Sequence, residues 1–304
     1  MPTPNKIRYF IETIPNLVKS LDYEKVIELC NFHFPQIPFV TVDFTNEKFF
    51  FKQKEFGGIN VIYRGRKMKN KEDDPFEGIS DISYIQEKDL DLIENFGRLN
   101  KKRESMFYGA LNASTACVET ITKGEDFKGS GSVMVVVGTW KFDSTLKLAE
   151  MPYSEKYWKL YTRETKIKSE VLTEDFIRER NQEIKLKFEN SLSYEILTLF
   201  GDAFANFEIK QDSDYYLSNY FADRIFSRLP GYKCDNIDGI IYPSIPHSYQ
   251  ELNVVLKPEV VEQKLKFIDA TQVWVVHFLE TGGGVQFIPI RENIYPDENG
   301  KFRW

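Results

Sequence analysis

Cysteine and histidine are scarce in this chain of 304 residues: three cysteines, Cys30, Cys117 and Cys234, and three histidines, His33, His247 and His277. An odd number of widely spaced thiols builds neither a disulfide framework nor a paired zinc knuckle, and it suits a reducing cytoplasm where the thiols pack as small hydrophobes. Cys30-x-x-His33 is half of a zinc site without its second half, so no metal is expected. Positive charge is also short. Forty Lys and Arg stand against 46 Asp and Glu, a formal net charge of −6, whereas non-specific nucleic-acid binding needs many cations to neutralise phosphates. Nucleic acid is therefore not the expected partner. No stretch runs about 18 apolar residues without a charge, as a membrane-spanning helix would, and the charged start MPTPNKIRYFIETI lacks the apolar core of a secretion signal. The expectation is a cytoplasmic protein that does not contact membrane.

Several catalytic signatures are missing too. The glycines at 129–131 and 282–284 lack the Lys-Ser/Thr of a phosphate-cradling loop and the strand–glycine–helix context of a dinucleotide fingerprint, so they read as turns. There is no Gly-x-Ser-x-Gly elbow. Ser244 and His247 are three apart, but the intervening Pro246 and the missing third member argue against a serine hydrolase.

What the chain does have is aromatic mass, with 25 Phe and 16 Tyr that supply large buried areas. Apolar residues Ile7, Phe10, Ile11, Ile14, Leu17, Val18 and Leu21 recur at helical spacing. Pro15 predicts a break there, giving two short helices, followed by a third over 22–32 capped by Asp22. Residues 36–56 predict one or two strands, Gly57-Gly58 a turn, and 60–64 a strand ending on Arg64 and Arg66. A polar loop over 67–83 and a charged helix over 86–96 follow. Met106–Ala110 reads as a strand running into a helix through Thr122, capped by Asn112 or Ser114, and Val133–Val137 as a strand covered on both faces. From about 150 to 230 the pattern is long, charged and helical, with room for three or four helices. Strands return at 238–244 and 252–256, and a hairpin at 272–290, so the two β-rich flanks are expected in one sheet system.

Four words of sequence stand out: Tyr63-Arg64-Gly65-Arg66; Gly97-Arg98-Leu99-Asn100; Phe107-Tyr108-Gly109-Ala110-Leu111 running into Thr115-Ala116-Cys117-Val118-Glu119; and Asp238-Gly239-Ile240-Ile241-Tyr242-Pro243-Ser244 followed by Leu252-Asn253-Val254-Val255-Leu256. In this order they resemble the RES-domain family, named for an arginine, a glutamate and a serine. The resemblance implies an α+β fold, a mixed sheet similar to that of ADP-ribosyltransferases. It divides the chain into a helical N-terminal extension, 1–55, and a RES-like catalytic domain, 56–304, carrying a helical insertion over about 150–230.

RES domains are toxins of toxin–antitoxin pairs that degrade NAD+, some with phosphate as acceptor, while others transfer ADP-ribose. The resemblance therefore implies NAD+ as substrate, inorganic phosphate or water as acceptor, and no metal. Arg64, Glu119 and Ser244 would be catalytic, and Arg98, Asn100, Tyr108 and Asn253 would bind the dinucleotide. Arg66 is an alternative to Arg64 as the functional arginine, and Gly65 stands where the family commonly has a larger residue. An antitoxin is the protein partner the resemblance suggests, and the helical block over about 150–230, longer than a minimal RES domain requires, could cover the pocket, make a homodimer or bind an antitoxin. Arginines at strand ends can grip a diphosphate bidentately, and a fixed carboxylate can stabilise the oxocarbenium-like ribose. With a net charge of −6, attraction for an anionic dinucleotide has to come from a few focused arginines, Arg64 and Arg98 above all.

Overall fold

The computed structural model describes residues 2–44, 50–51, 54–55, 60–68, 76–121, 131–159, 174–229, 236–244, 251–278 and 284–303. Its helices are α1 (Pro4–Leu17), α2 (Tyr23–His33), α3 (Ile79–Ile82), α4 (Ala113–Ile121), α5 (Glu174–Leu186), α6 (Ser191–Ala205), α7 (Tyr216–Ile225) and α8 (Pro258–Lys264). Its strands are β1 (Val40–Phe44), β2 (Phe50–Phe51), β3 (Lys54–Glu55), β4 (Val61–Lys67), β5 (Phe107–Ala110), β6 (Gly131–Phe142), β7 (Leu146–Glu150), β8 (Gly239–Pro243), β9 (Leu252–Leu256), β10 (Leu265–Phe278) and β11 (Gly284–Ile294). The fold is α+β, as expected, with parallel and antiparallel pairing both present. The chain forms two compact units, one of Met1–Asp43, Leu90–Glu104 and Lys147–Gln250, the other of Phe44–Asp89, Ser105–Leu146 and Glu251–Trp304.

The first unit is mainly helical. Ile7, Phe10 and Ile14 give α1 its buried face, and Asp22 caps α2 by accepting from the Lys25 N–H at 2.8 Å. Pro15 does not split the first helix as the sequence suggested. It sits in the last turn, where its missing N–H removes a single backbone bond, and the chain continues to Leu17 before tightening into a 3-10 turn over Val18–Ser20.

Residues 1–43 and the helical block, two separate additions in the sequence reading, fold within the same unit. Arg224 on α7 donates to the carbonyls of Phe34 and Pro35 and to Asn31, and Tyr220 Oη also donates to Asn31. Beneath α2, the fully buried Asp223 accepts from Tyr23 Oη at 2.8 Å and faces Lys101 Nζ at 3.2 Å and Arg228 Nη1 at 3.5 Å. Burial and the neighbouring Asp223 push the Tyr23 phenol far above its ordinary value. Asp223→Ala should therefore cost about 2 kcal/mol in denaturant unfolding. A larger loss is not expected, because Lys101 is a third exposed and Arg228 keeps Glu104 at 3.0 Å.

The second unit carries an antiparallel sheet in the order β9-β5-β4-β6-β10-β11. Three of these strands precede the helical block and three follow it, so the two β-rich flanks do share one sheet. Val133, Val135 and Val137 pack with Ala116, Cys117 and Ile121 of α4 on one face, while Val136 packs with Met68 and Ile82 on the other. That is the two-sided burial the unbroken apolar run predicted.

Other expectations change. β4 runs on through both arginines to Lys67. The segment 86–96 forms only a 3-10 helix over Glu87–Leu92, none of whose residues is buried, so no core contact supports a longer helix. Strand β7 and helix α8 were not anticipated. Gly57-Gly58, the 129–130 and 282–283 glycine turns, Cys234 and His247 lie outside the described residues. Cys30 and Cys117 are buried free thiols, each pushed up to about 12 by burial, and His33 stacks on Phe10 with ring centroids 3.8 Å apart.

Candidate active site

Within the second unit, pairing brings Tyr63, Ala110 and Asn253 into one row across β4, β5 and β9. Tyr108 lies two residues before Ala110 and so shares its face. Helix α4 covers this face. Asn112 caps it, accepting from the Ser114 N–H at 2.8 Å, and Ala116 and Cys117 allow close approach to the strands. One turn further on, Glu119 Oε1 accepts a hydrogen bond from Asn253 Nδ2 at 2.5 Å. A carboxylate can only accept, so this bond fixes which way the Asn253 amide points. Asn253 is 3% exposed, and among the described residues its Oδ1 has no donor. The pair thus presents a carboxylate beside a buried acceptor that still needs an N–H or O–H.

The arginines leave β4 on the other side. Gly65 faces α4 so closely that a Cβ there would sit 2.3 Å from Thr120 Oγ1 and 2.6 Å from the Ala116 carbonyl oxygen, and strand alternation then turns Arg64 and Arg66 to the opposite face. There Arg64, 6% exposed, donates from Nε to the Ser83 carbonyl at 3.0 Å and from Nη1 to the Tyr108 carbonyl at 2.7 Å, with its guanidinium 5.0 Å from the Phe107 ring centroid. Arg66 Nη2 donates to the same Ser83 carbonyl, and its Nε is buried with no partner among the described residues. Burial holds the Arg64 guanidinium well below its ordinary value, and Arg66 adds to the shift; burial lowers Arg66 as well. The sheet therefore separates Arg64 from Glu119, where the sequence reading grouped them. The first structural task of Arg64 is to hold the β5 backbone at Tyr108.

The remaining expected residues belong to the first unit. Arg98 donates to the carbonyls of Ala203, Phe204 and Asn206, where the C-terminal end of α6 presents unpaired acceptors to a cation. Part of the Arg98 guanidinium expected at the dinucleotide is thus engaged by these carbonyls. Asn100 donates to the Lys101 carbonyl at 3.0 Å, and Ser244 is fully buried directly after β8. A cavity of about 730 Å³ lies between α1 and α6, bordered by Arg8, Pro15, Tyr194 and Asp202, and none of the seven expected residues lines it.

The family model described as the RES domain matches residues 69–276, more than two thirds of the chain. The chain belongs to the RES-domain family. RES domains are in general NAD-related and toxin-like. No curated protein matches the chain. The matched segment begins after β4, so Arg64 and Arg66 precede it, while Arg98, Asn100, Tyr108, Glu119, Ser244 and Asn253 lie inside. No helix among the described residues is long and apolar enough to cross a membrane.

Two contributors to this RES domain's site went unseen in the sequence. The Ser83 carbonyl that receives both arginines has no side-chain signal at all. Gly65 did have one, since a glycine inside a strand marks a close approach, and the partner in that approach is the helix bearing Glu119.

Proposed function

We propose that this RES domain consumes NAD+ by breaking the bond between nicotinamide and ribose, with phosphate or water as acceptor, as the toxin of a toxin–antitoxin pair. The observation that carries the reading is the Glu119–Asn253 pair. Loss of nicotinamide develops positive charge on the ribose, and a carboxylate held in place by an amide is ready to stabilise it without reorganising. The Asn253 Oδ1, without a donor among the described residues, suits a ribose hydroxyl or the nicotinamide amide. Tyr108, on the face of Glu119, supplies a ring for the flat leaving group to stack on.

The other roles follow the family words. Arg98 contributes to the diphosphate only through N–H groups not already bonded to carbonyls, Ser244 and Asn100 fix orientation by hydrogen bonding, and Arg64, on the sheet face away from Glu119, acts by holding the β5 backbone at Tyr108. An antitoxin and a second copy of the chain remain the proposed protein partners. Purified protein incubated with NAD+ should release nicotinamide. If NAD+ stays intact with and without phosphate, the reading is wrong, and label from NAD+ appearing on an acceptor would establish ADP-ribosyl transfer in its place. Expression alone should arrest growth, and co-expression of an antitoxin should relieve the arrest.

A further inference from the structure

Helix α7 and the turn before it belong to the helical block, and within the first unit they hold the loop that carries Arg98 and Asn100. Asp212, in the 3-10 turn Asp212–Tyr215, accepts from the Phe96 N–H at 3.2 Å and pairs with Lys102 Nζ at 2.8 Å. Arg228, just past α7, donates from Nη1 to the Leu99 carbonyl at 3.2 Å while its Nε meets Glu104 at 3.0 Å. Asn219, fully buried on α7, donates from Nδ2 to the Gly97 carbonyl at 2.6 Å and to the Tyr215 carbonyl at 3.1 Å. Inside the loop the Gly97 N–H donates to the Asn100 carbonyl at 2.9 Å. Gly97 and Leu99 are the chain neighbours of Arg98, so the two held carbonyls bracket that residue and lead into Asn100. Tyr215 is also the residue whose ring centroid lies 5.9 Å from the Arg98 guanidinium.

We propose that Asn219 is a positioning residue that sets the loop carrying Arg98 and Asn100 and thereby, on the NAD+-cleavage reading on which this rests, the affinity for the dinucleotide. The Asn219 amide donates to two carbonyls, which leaves it one orientation, since the flipped amide would set its oxygen against two acceptors. In that orientation Oδ1 is buried with no donor among the described residues. A bare buried acceptor costs stability, so Asn219 serves the stability of α7 poorly and the aim of the loop well. It touches no substrate. It acts through Arg98, whose backbone it fixes on the Gly97 side while the guanidinium reaches the carbonyls of Ala203 and Asn206 at 3.4 and 3.2 Å. The helical block therefore has a task at the site, through one amide on α7.

The test uses the full chain carrying Asn219→Ser. A serine hydroxyl can donate to the carbonyl four residues back, as Thr198 donates to the Tyr194 carbonyl at 2.9 Å, but it is too short to reach Gly97, so the helix keeps its bond and the loop loses one. Hydrogen exchange should quicken about tenfold at the amides of Gly97, Arg103 and Glu104, which donate to the Asn100, Ile93 and Lys101 carbonyls, and should stay as in wild type across α1 and α6. With NAD+, KM should rise about tenfold while kcat stays within about twofold, the mark of binding lost equally from the ground and transition states. Combined with Arg98→Ala, the two KM increases should fall well short of multiplying, because both act through one side chain. Should Asn219→Ser not fold, Arg228→Lys carries the same test. It keeps a cation for Asp223 and Glu104 and withdraws the guanidinium fork from the Leu99 carbonyl, and the same rise in KM at near-constant kcat is expected.

Loop amides that exchange as in wild type, exchange that quickens uniformly across the unit, an unchanged KM, or KM increases that multiply fully in the double variant would each overturn the role of Asn219 and leave NAD+ cleavage standing. Wild type that leaves NAD+ intact would overturn the cleavage reading and with it the effect on dinucleotide affinity, while faster exchange confined to the loop would still uphold Asn219 as the residue that sets it.

Discussion

Glu119→Gln should slow nicotinamide release by about 1,000-fold, mostly in kcat, with a melting temperature close to that of wild type. The substitution keeps the size of the side chain and an oxygen that can accept from Asn253 Nδ2. It removes the charge that faces the developing cation, so the loss falls on the transition state and KM should move little. The fold survives because α4 is anchored by Ala116, Cys117 and Ile121, which are buried, and not by the half-exposed Glu119. Asn253→Ala is the companion measurement. It leaves the carboxylate in place but unfixed, and a smaller loss is expected, since orientation is impaired while charge is retained. Equal activity of wild type and Glu119→Gln would remove Glu119 from the chemistry.

The strands and helices that meet at this pair were legible because their signals are local. Phe107–Ala110 and Leu252–Leu256 are short apolar runs of strand length, and Asn112 announces the start of α4. Glu119 and Asn253 were named from sequence words, but nothing in those words says that the two touch. That contact depends on β5 pairing with β9 across 142 intervening residues in the register Ala110↔Asn253, which no periodicity within either strand encodes. The arginines show the opposite failure. Arg64 and Arg66 were visible as cations in a family word at a strand, and the word together with their charge suggested a grip on phosphate. Their side of the sheet is decided by their neighbour Gly65, whose packing against α4 turns them toward Ser83. The carbonyls that Arg98 serves at the end of α6 were invisible for a similar reason, since they lie more than 100 residues along the chain.

Gly65→Val should destabilise the protein by about 3 kcal/mol and slow NAD+ cleavage by about 100-fold. The glycine is there for closeness, its φ not lying in the left-handed region. A Cβ at this position would lie 2.3 Å from Thr120 Oγ1 and 2.6 Å from the Ala116 carbonyl oxygen. The hydroxyl can rotate away, at the expense of its 2.7 Å bond to that same carbonyl. The carbonyl cannot move unless α4 moves with it. Any shift of α4 away from β4 carries Glu119 with it, three residues along the helix from Ala116, and stretches the 2.5 Å contact with Asn253. Stability and activity should therefore fall together in Gly65→Val, unlike Glu119→Gln, where activity falls alone. Gly65→Ala combined with Thr120→Ala separates the two obstacles. Removing the hydroxyl relieves the nearer clash and leaves the carbonyl, so the double variant should recover only part of the stability lost in Gly65→Ala. Full recovery would mean that the helix is free to yield, and that Gly65 does not set the position of the Glu119 carboxylate.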